Sequence, residues 1–480
     1  MVEEKNQKEH TASNTEEESN KENILKVEDV YLTQSDSVFY NPAQQFNREL
    51  SLHVISEYIK DKPNPKLFEA MSATGIRSIK YLKELPKLSV HLNDISKEAI
   101  KNINQNLSLN DISKERYKIT NKNCNDVMNS SPNQFDVIDI DPYGSSVPFI
   151  SSALTGIKHK GLLCLTFTDL AVLCSKKERC FTKYNSLTVK DPDHNEVAIR
   201  IAIQAVEKEA LKLDYHIEPV LSVAIDFYLR TFVIVHKRKK IRNNLNMFYK
   251  CICGYKKINI TKNRHKNRNK KNEKNTNDLL KEDNNPKENI LFPLVNKISN
   301  IHSDRDNNKN TLMPSIKCFS CNTQPILCGP FWSTGYNDKE LIKNILLNYN
   351  VSDRVKGMLL LISSELDTFL SFSIPDICST LKQNCIPLKS ILSALSNLGY
   401  NISLTHTSLN TIKSNAPLSL VYNIILNYFY LKNNKDSEED SKRLEAIEEI
   451  FNTNNDVENL LNKNYYRKLA LSKQGPLSKK

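Results

Sequence analysis

The chain has 480 residues, 39% apolar and 25% charged, which is enough to build two or three buried cores and excludes wholesale disorder. Glycine supplies only 10 residues where average usage, roughly 7%, would give about thirty, so collagen-like and glycine-linker chains are excluded too. The formal charge is +12, from 67 Lys and Arg against 55 Asp and Glu, a balance that admits a polyanionic partner but equally serves solubility.

Residues 1–29 are rich in Glu, Asn, Lys and Ser with almost no apolar periodicity, and a disordered acidic tail is expected there. This start carries no signal-peptide pattern, and no run reaches the roughly 18 to 20 apolar residues of a membrane helix. An intracellular protein, nuclear or cytoplasmic, with no membrane contact is expected; the sequence leaves the organelle open and shows no obligate protein partner.

From residue 30 to about 240, short apolar runs alternate with helical segments. The clearest runs are 135–140, 162–167, 221–225 and 231–235, with weaker ones at 67–68 and 88–92. Strands alternating with helices predict an α/β domain with a mainly parallel sheet. Residues 241–335 hold two cysteine pairs and, at 256–310, a Lys/Asn-rich insertion of disordered composition. Residues 336–432 have apolar residues at helical spacing, as in Val355, Met358, Leu359 and Ile362, and the helix starts at Pro375 and Pro387 followed by a strand at 401–405 suggest a winged-helix-like domain. Residues 433–480 read as a flexible tail with one helix near 443–451.

Four strand ends carry chemistry-bearing residues. The segment Leu67-Phe68-Glu69-Ala70-Met71-Ser72-Ala73-Thr74-Gly75-Ile76-Arg77 reads as strand, small-residue turn and helix, a turn that lets a nucleoside-bearing ligand approach the backbone. Asp94, in His91-Leu92-Asn93-Asp94, sits 25 residues after Glu69, near the spacing at which an acid accepts ribose hydroxyls. The third is Cys124-Asn125-Asp126-Val127, where a carboxylate and an amide could read an adenine edge; a surface turn is the alternative.

The fourth is Phe135-Asp136-Val137-Ile138-Asp139-Ile140-Asp141-Pro142-Tyr143-Gly144, which puts an acid, a proline and an aromatic at the end of a buried strand. An exocyclic base amine is a poor nucleophile because its lone pair is delocalised into the ring. A carboxylate accepting its N–H favours the pyramidal amine that attacks a methyl group, and an adjacent aromatic can stack on the base. A plain β-turn is the bland reading of the same residues.

Several segments together resemble the ordered motifs of the tRNA (guanine-26-N2)-dimethyltransferase family. They are Phe39-Tyr40-Asn41-Pro42 with Phe46-Asn47-Arg48, Ser72 to Arg77, Asn93-Asp94, Asp141-Pro142-Tyr143-Gly144, Thr166-Phe167-Thr168-Asp169 and Asp226-Phe227-Tyr228-Leu229-Arg230. Gly329-Pro330-Phe331-Trp332, Thr405-His406, Ile412-Lys413 and Ala416-Pro417 extend the resemblance, which covers about residues 30–430. It implies a class I, Rossmann-like methyltransferase domain that uses S-adenosyl-L-methionine to methylate N2 of guanine 26 in tRNA, giving mono- and dimethylguanine. Carried over position by position, Arg48, Arg77, Asp94, Asp126 and Val127 would surround the cofactor, and Asp141, Pro142 and Tyr143 would hold the target amine. Methylation of another exocyclic amine, or an inactive tRNA-binding protein on the same fold, are the competing expectations.

Two departures from the family stand out. Asp191-Pro192-Asp193-His194-Asn195-Glu196 stands where the family commonly has Cys-His-Glu, so His194 receives no role, and Ser175 replaces a common glycine. The 11 cysteines include Cys318-Phe319-Ser320-Cys321 and Cys251-Ile252-Cys253, which together would make a tetrahedral structural Zn2+ site, although the second spacer is one residue shorter than the family's. The basic stretch 237–242, the C-terminal helical domain and the Lys/Asn tract are the expected sources of tRNA phosphate contacts.

Overall fold

The computed structural model describes residues 24–33, 38–238, 244–251, 256–259, 318, 322–409, 411–433 and 441–462. The chain opens with a hairpin, β1 (Ile24–Val27) and β2 (Val30–Thr33), followed by α1 (Gln45–Ile59). The acidic segment is thus in strand conformation by Ile24, earlier than the expected boundary at residue 30. The cause is long-range: Asn106 and Asn110 on a later helix hydrogen-bond the backbone of Thr33 and Tyr31, and Val30 and Leu32 are buried.

Strands and helices then alternate through β3 (Lys66–Glu69), α2 (Ile76–Glu84), β4 (Ser89–Asn93), α3 (Lys97–Leu109), β5 (Tyr117–Thr120), α4 (Cys124–Asn129), β6 (Phe135–Ile140), α5 (Val147–Gly156) and β7 (Ile157–Phe167). Two short helices, α6 (Leu170–Cys174) and α7 (Lys177–Tyr184), lead into α8 (His194–Leu211), and β8 (His216–Ile225) and β9 (Tyr228–His236) close the unit. The seven-stranded sheet has the order β5-β4-β3-β6-β7-β9-β8, with β9 antiparallel to both neighbours and the rest of the ladder parallel. Each sequence-predicted strand is present, and β5, which has no fully buried residue, is the one the apolar runs did not announce.

Because side chains alternate across a strand, neighbouring residues serve opposite cores. Val137, Leu162 and Cys164 face one cluster with α1, α2 and α3, whereas Ile138, Leu163 and Leu165 face the other with α5 and α8. Burial on both faces explains why β6 is buried at all six positions.

A three-stranded antiparallel sheet follows, with β10 (Leu245–Lys250) between β11 (Lys256–Asn259) and β12 (Ile326–Trp332). The first four residues of the Lys/Asn tract are therefore a paired strand rather than loop; residues 260–310 lie outside the described residues. Phe248, Cys328, Phe331 and Trp332 join the α8 core, and Arg200 on α8 donates to the Trp332 carbonyl at 2.8 Å.

The next helices, α9 (Lys339–Asn348) and α10 (Asp353–Ser364), pack on the α1 face of the main sheet through Ile342, Ile345, Val355, Met358, Leu359 and Ile362. They belong to the first domain's core, so the boundary expected at residue 335 falls beyond α10. Helical spacing identifies an apolar face but not the surface that covers it. A separate cluster is built from β13 (Phe372–Ser373), α11 (Ile374–Thr380), α12 (Leu388–Asn397), β14 (Ile402–Leu404), β15 (Thr411–Ser414) and α13 (Leu418–Asn433), with the three strands in the order β13-β15-β14. Ile450 at the end of α14 (Ser441–Ile450) also packs there, so part of the expected tail is fixed to this core. Among the described residues, no helix is long and apolar enough to cross a membrane.

Candidate active site

A cleft of about 670 Å³ opens where β3, β4 and β6 end, the edge at which parallel α/β sheets place their ligand-binding loops. Its first wall is the turn between β3 and α2. Ala73 and Gly75 both have positive φ, 46° and 76°, and the Gly75 N–H bonds the Ser72 carbonyl, so the chain reverses sharply and α2 starts beside the cleft. Asp94, after β4, accepts from Ala73 N and Ser96 N, both at 2.9 Å, which fixes its carboxylate against that turn. Each carboxylate oxygen keeps a further lone pair for a ligand.

The opposite wall comes from α1 and the segment before it. Arg48 and Tyr40 line the cleft, with the guanidinium 5.3 Å from the ring centre. Arg48 is buried and donates to Glu28 Oε1 at 2.8 Å from Nε and to the Asn41 carbonyl at 3.0 Å. Glu28, which the sequence left in an acidic tail, sits at the tip of the β1–β2 hairpin and pairs also with Lys80 at 3.3 Å. Arg77, in the first turn of α2, donates to Gln44 Oε1 at 3.0 Å and forms an ion pair with Asp141.

Asp141 ends β6 and reaches the cleft with Pro142 and Tyr143. Burial opposes its ionisation, but the Arg77 and Arg230 charges and the Arg77 hydrogen bond outweigh that and hold the carboxyl below its ordinary value. Two residues earlier, Asp139 is fully buried and receives two bonds from Arg230, each 2.9 Å, and one from Tyr81 at 3.1 Å. Arg230 also donates to Thr166 Oγ1 and Ser51 Oγ. This layer beneath the cleft was not anticipated, although an acid between Ile138 and Ile140 in a buried strand is itself a sign that a cation must meet it.

Glu69, at the end of β3, lines the same cleft; burial pushes its carboxyl up to about 8, against the hydrogen bond from Ser78. The loop after Asp141 is pinned by Thr168, whose Oγ1 accepts from Gly144 N and whose N donates to the Gly144 carbonyl, both at 2.7 Å. The Tyr143 ring is 79% exposed and stands edge-on to Phe39, centre to centre 5.4 Å, while Phe227 completes the aromatic rim. The turn carrying Phe227 is tied to α10 by an Asp226–Arg354 pair at 2.9 Å.

Of the residues singled out in the sequence, Arg48, Arg77, Asp94, Asp141, Pro142 and Tyr143 share this cleft. Asp126 and Val127 do not line it. They lie in α4, Asp126 exposed and Val127 buried, behind a wall made by Lys122, Asn123 and Cys124. Among the cysteines, Cys251 Sγ is 3.0 Å from Thr323 Oγ1, and Cys318 N donates to the Thr323 carbonyl at 2.8 Å, so both border one turn. Cys253 and Cys321 lie outside the described residues, and no cluster of three or more metal-ligating side chains occurs among the described ones. His194 is exposed at the start of α8.

The chain as a whole also resembles known proteins. The chain is 30% identical to the tRNA (guanine(26)-N(2))-dimethyltransferase of Schizosaccharomyces pombe over 81% of this chain and 78% of that one. It is 28% identical to the enzyme of that name from Methanococcus maripaludis, over 84% and 96%. Among solved structures, Trm1 from Pyrococcus horikoshii in complex with S-adenosyl-L-methionine superposes with a TM-score of 0.65 at 24% identity, covering 83% of this chain and 98% of that one, which shows the shared fold. Residues 15–426 match the family described as N2,N2-dimethylguanosine tRNA methyltransferase, and the chain belongs to that family.

Proposed function

We infer that this protein transfers methyl groups from S-adenosyl-L-methionine to the exocyclic N2 amine of guanine 26 in tRNA. The observation that carries the reading is the meeting of Asp94 and Asp141, from two strand ends, in one cleft deep enough for a nucleoside-bearing cofactor beside a base.

When bound, S-adenosyl-L-methionine supplies a methyl carbon made electrophilic by its sulfonium, so the protein need only orient and polarise the amine. The Asp141 carboxylate, kept ionised by Arg77 and Arg230, accepts an N–H of the amine and stabilises the positive charge that develops on nitrogen. A carboxyl of lowered pKa stabilises the developing charge first, and the methylated ammonium, more acidic than a carboxylic acid, would then pass its proton to the Asp141 carboxylate and on to solvent water. Tyr143 offers its exposed ring to the base, and Phe39 and Phe227 border the same opening. Asp94 would accept the ribose hydroxyls of the cofactor, Arg48 and Arg77 would hold its amino-acid end, and the 122–124 wall ahead of Asp126 and Val127 would border its adenine.

A structural Zn2+ on Cys251, Cys253, Cys318 and Cys321 is part of the reading; its support is that Cys251 and Cys318 border the Thr323 turn. Metal analysis of the purified protein should find about one zinc per chain, and none would remove the site. The β13-α11-α12-β14-β15 unit is read as winged-helix-like from its three-stranded sheet and helix order. The deciding experiment is nucleoside mass spectrometry of tRNA after reaction with protein and cofactor. N2-methylated guanosine lost on replacing guanine 26 is expected; methylation at another amine, or none, overturns the reading.

A further inference from the structure

Glu28 occupies a backbone position that its own residue type does not favour. The β1–β2 hairpin closes through two residues, Glu28 and Asp29, and both have positive φ, 51° and 62°, the left-handed pair of a tight turn in which Asn and Gly are the usual occupants. A glutamate kept there against local preference is kept by contacts elsewhere. Its side chain is 4% exposed and both carboxylate oxygens are engaged: Oε1 accepts from Arg48 Nε at 2.8 Å and from Arg48 Nη2, and Oε2 accepts from Lys80 at 3.3 Å. The Asp29 side chain, on the adjoining position of the same turn, is 91% exposed.

The end of the hairpin is tied to a second part of the cleft wall. Asn106 on α3 is fully buried; its Oδ1 accepts from Thr33 N at 2.8 Å, and its Nδ2 donates to the Thr74 carbonyl at 2.8 Å. Thr74 belongs to the turn between β3 and α2 that lines the cleft. One hairpin thus reaches Arg48 through Glu28 and the 72–75 turn through Asn106. Arg48 lines the cleft as well, with Nη1 on the Asn41 carbonyl at 3.0 Å and the guanidinium 5.3 Å from the Tyr40 ring centre. Of its five N–H bonds, these contacts use Nε and one on each terminal nitrogen, which leaves one on each terminal nitrogen for a ligand.

We propose that Glu28 is a positioning residue of the cofactor site, fixing the Arg48 guanidinium so that its remaining N–H groups meet the carboxylate at the cofactor's amino-acid end. This rests on the reading of the chain as an S-adenosyl-L-methionine-dependent methyltransferase with Arg48 at that end. The amino-acid end is a zwitterion of no net charge, so the Glu28 charge acts on it weakly at a distance, and the direction of the guanidinium decides. Glu28→Gln removes the fixation while keeping the shape, because an amide has one acceptor oxygen for two cations: whichever of Arg48 and Lys80 receives it, the other faces an N–H donor. The test measures calorimetric binding of S-adenosylhomocysteine, the demethylated product that keeps the amino-acid end, and of methylthioadenosine, which lacks it. Glu28→Gln should weaken S-adenosylhomocysteine roughly tenfold and leave methylthioadenosine binding as in wild type. Asp29→Asn should bind both ligands as wild type does. In an Arg48→Met background, Glu28→Gln should add no further loss of S-adenosylhomocysteine affinity. In turnover, the Glu28→Gln KM for S-adenosyl-L-methionine should rise, with the KM for tRNA and kcat at saturating cofactor retained. If Glu28→Gln does not fold, Glu28→Asp, whose carboxylate is withdrawn by one methylene, carries the same comparison of the two ligands. Unchanged S-adenosylhomocysteine affinity, equal weakening of both ligands, or a loss that persists without Arg48 overturns the positioning role alone. A wild type that binds neither ligand overturns it together with the functional reading.

Discussion

Arg77, in the first turn of α2, and Asp141, at the end of β6, are joined by an ion pair although 64 residues separate them. The contact makes one guanidinium the neighbour of both the proposed cofactor site and the proposed acceptor of the guanine amine. Asp141→Asn keeps a polar partner for Arg77 but removes the negative charge. It should lower kcat roughly 10² to 10⁴-fold while cofactor affinity by calorimetry stays within a few-fold of wild type. Activity near wild type would show that the carboxylate is not needed for transfer.

The buried Asp139–Arg230 pair predicts a stability effect that unfolding measures without reference to turnover. Removing one partner leaves an uncompensated charge among Tyr81, Thr166 and Ser51, so Arg230→Met should cost roughly 3 to 5 kcal/mol in denaturant unfolding. An Asp139→Leu, Arg230→Met double variant should recover much of that loss, because both desolvation penalties vanish. A double variant as unstable as the single would refute this account.

Glu69 gives a pH dependence with a definite sign. Its folded pKa, pushed up to about 8 by burial, lies above the ordinary carboxyl value, so the folded state holds a proton that the unfolded chain has released. Its contribution to stability is complete below about pH 4, falls as pH rises through that window, and is gone above about 8. Glu69→Gln, which mimics the protonated form, should flatten this fall and be more stable than wild type near pH 8, by an amount on the order of a few kcal/mol. Parallel urea titrations of the two proteins from pH 5 to 8.5 check it; identical slopes would mean that Glu69 titrates normally.

Lys413 on β15 holds two buried carboxylates, Glu196 of α8 at 3.1 Å and Glu365 beyond α10 at 2.9 Å. Arg200 shares Glu196 at 2.7 Å and His406 shares Glu365 at 2.6 Å. Burial opposes the ionisation of Glu365, yet Lys413 and His406 hold its carboxyl well below the ordinary range. That stabilisation is present above the ordinary carboxyl pKa and is lost as pH falls below it. Lys413→Met should therefore destabilise the protein by roughly 3 to 5 kcal/mol. It should also raise proteolytic sensitivity between residues 365 and 415 first, as limited proteolysis with mass spectrometry would show. Uniform protection would mean that the network does not tie β15 to α8.

Strand period and turn residues are local properties of the chain, so the α/β alternation, the position of strand β6 to the residue and the acids at the strand ends could be read from the sequence. Asp94 and Asp141 were legible for the same reason, each standing where an apolar run stops, whereas Arg48 and Arg77 were singled out only through the resemblance to the family's motifs. Which of them meet was decided by strand order: β3 lies between β4 and β6, so loops far apart in sequence share one cleft. Only the tertiary structure assigned α9 and α10 to the first core, drew Glu28 out of the supposed tail onto Arg48, and placed Arg230 under Asp139. It also put Lys237 at the edge of the sheet away from the cleft, just past the pairing of Val235 with Gly161. Composition records how many charges and apolar residues a segment carries. Their partners are set by the antiparallel turn of β9 and the packing of helices on a particular face, which are interactions between residues distant in the chain.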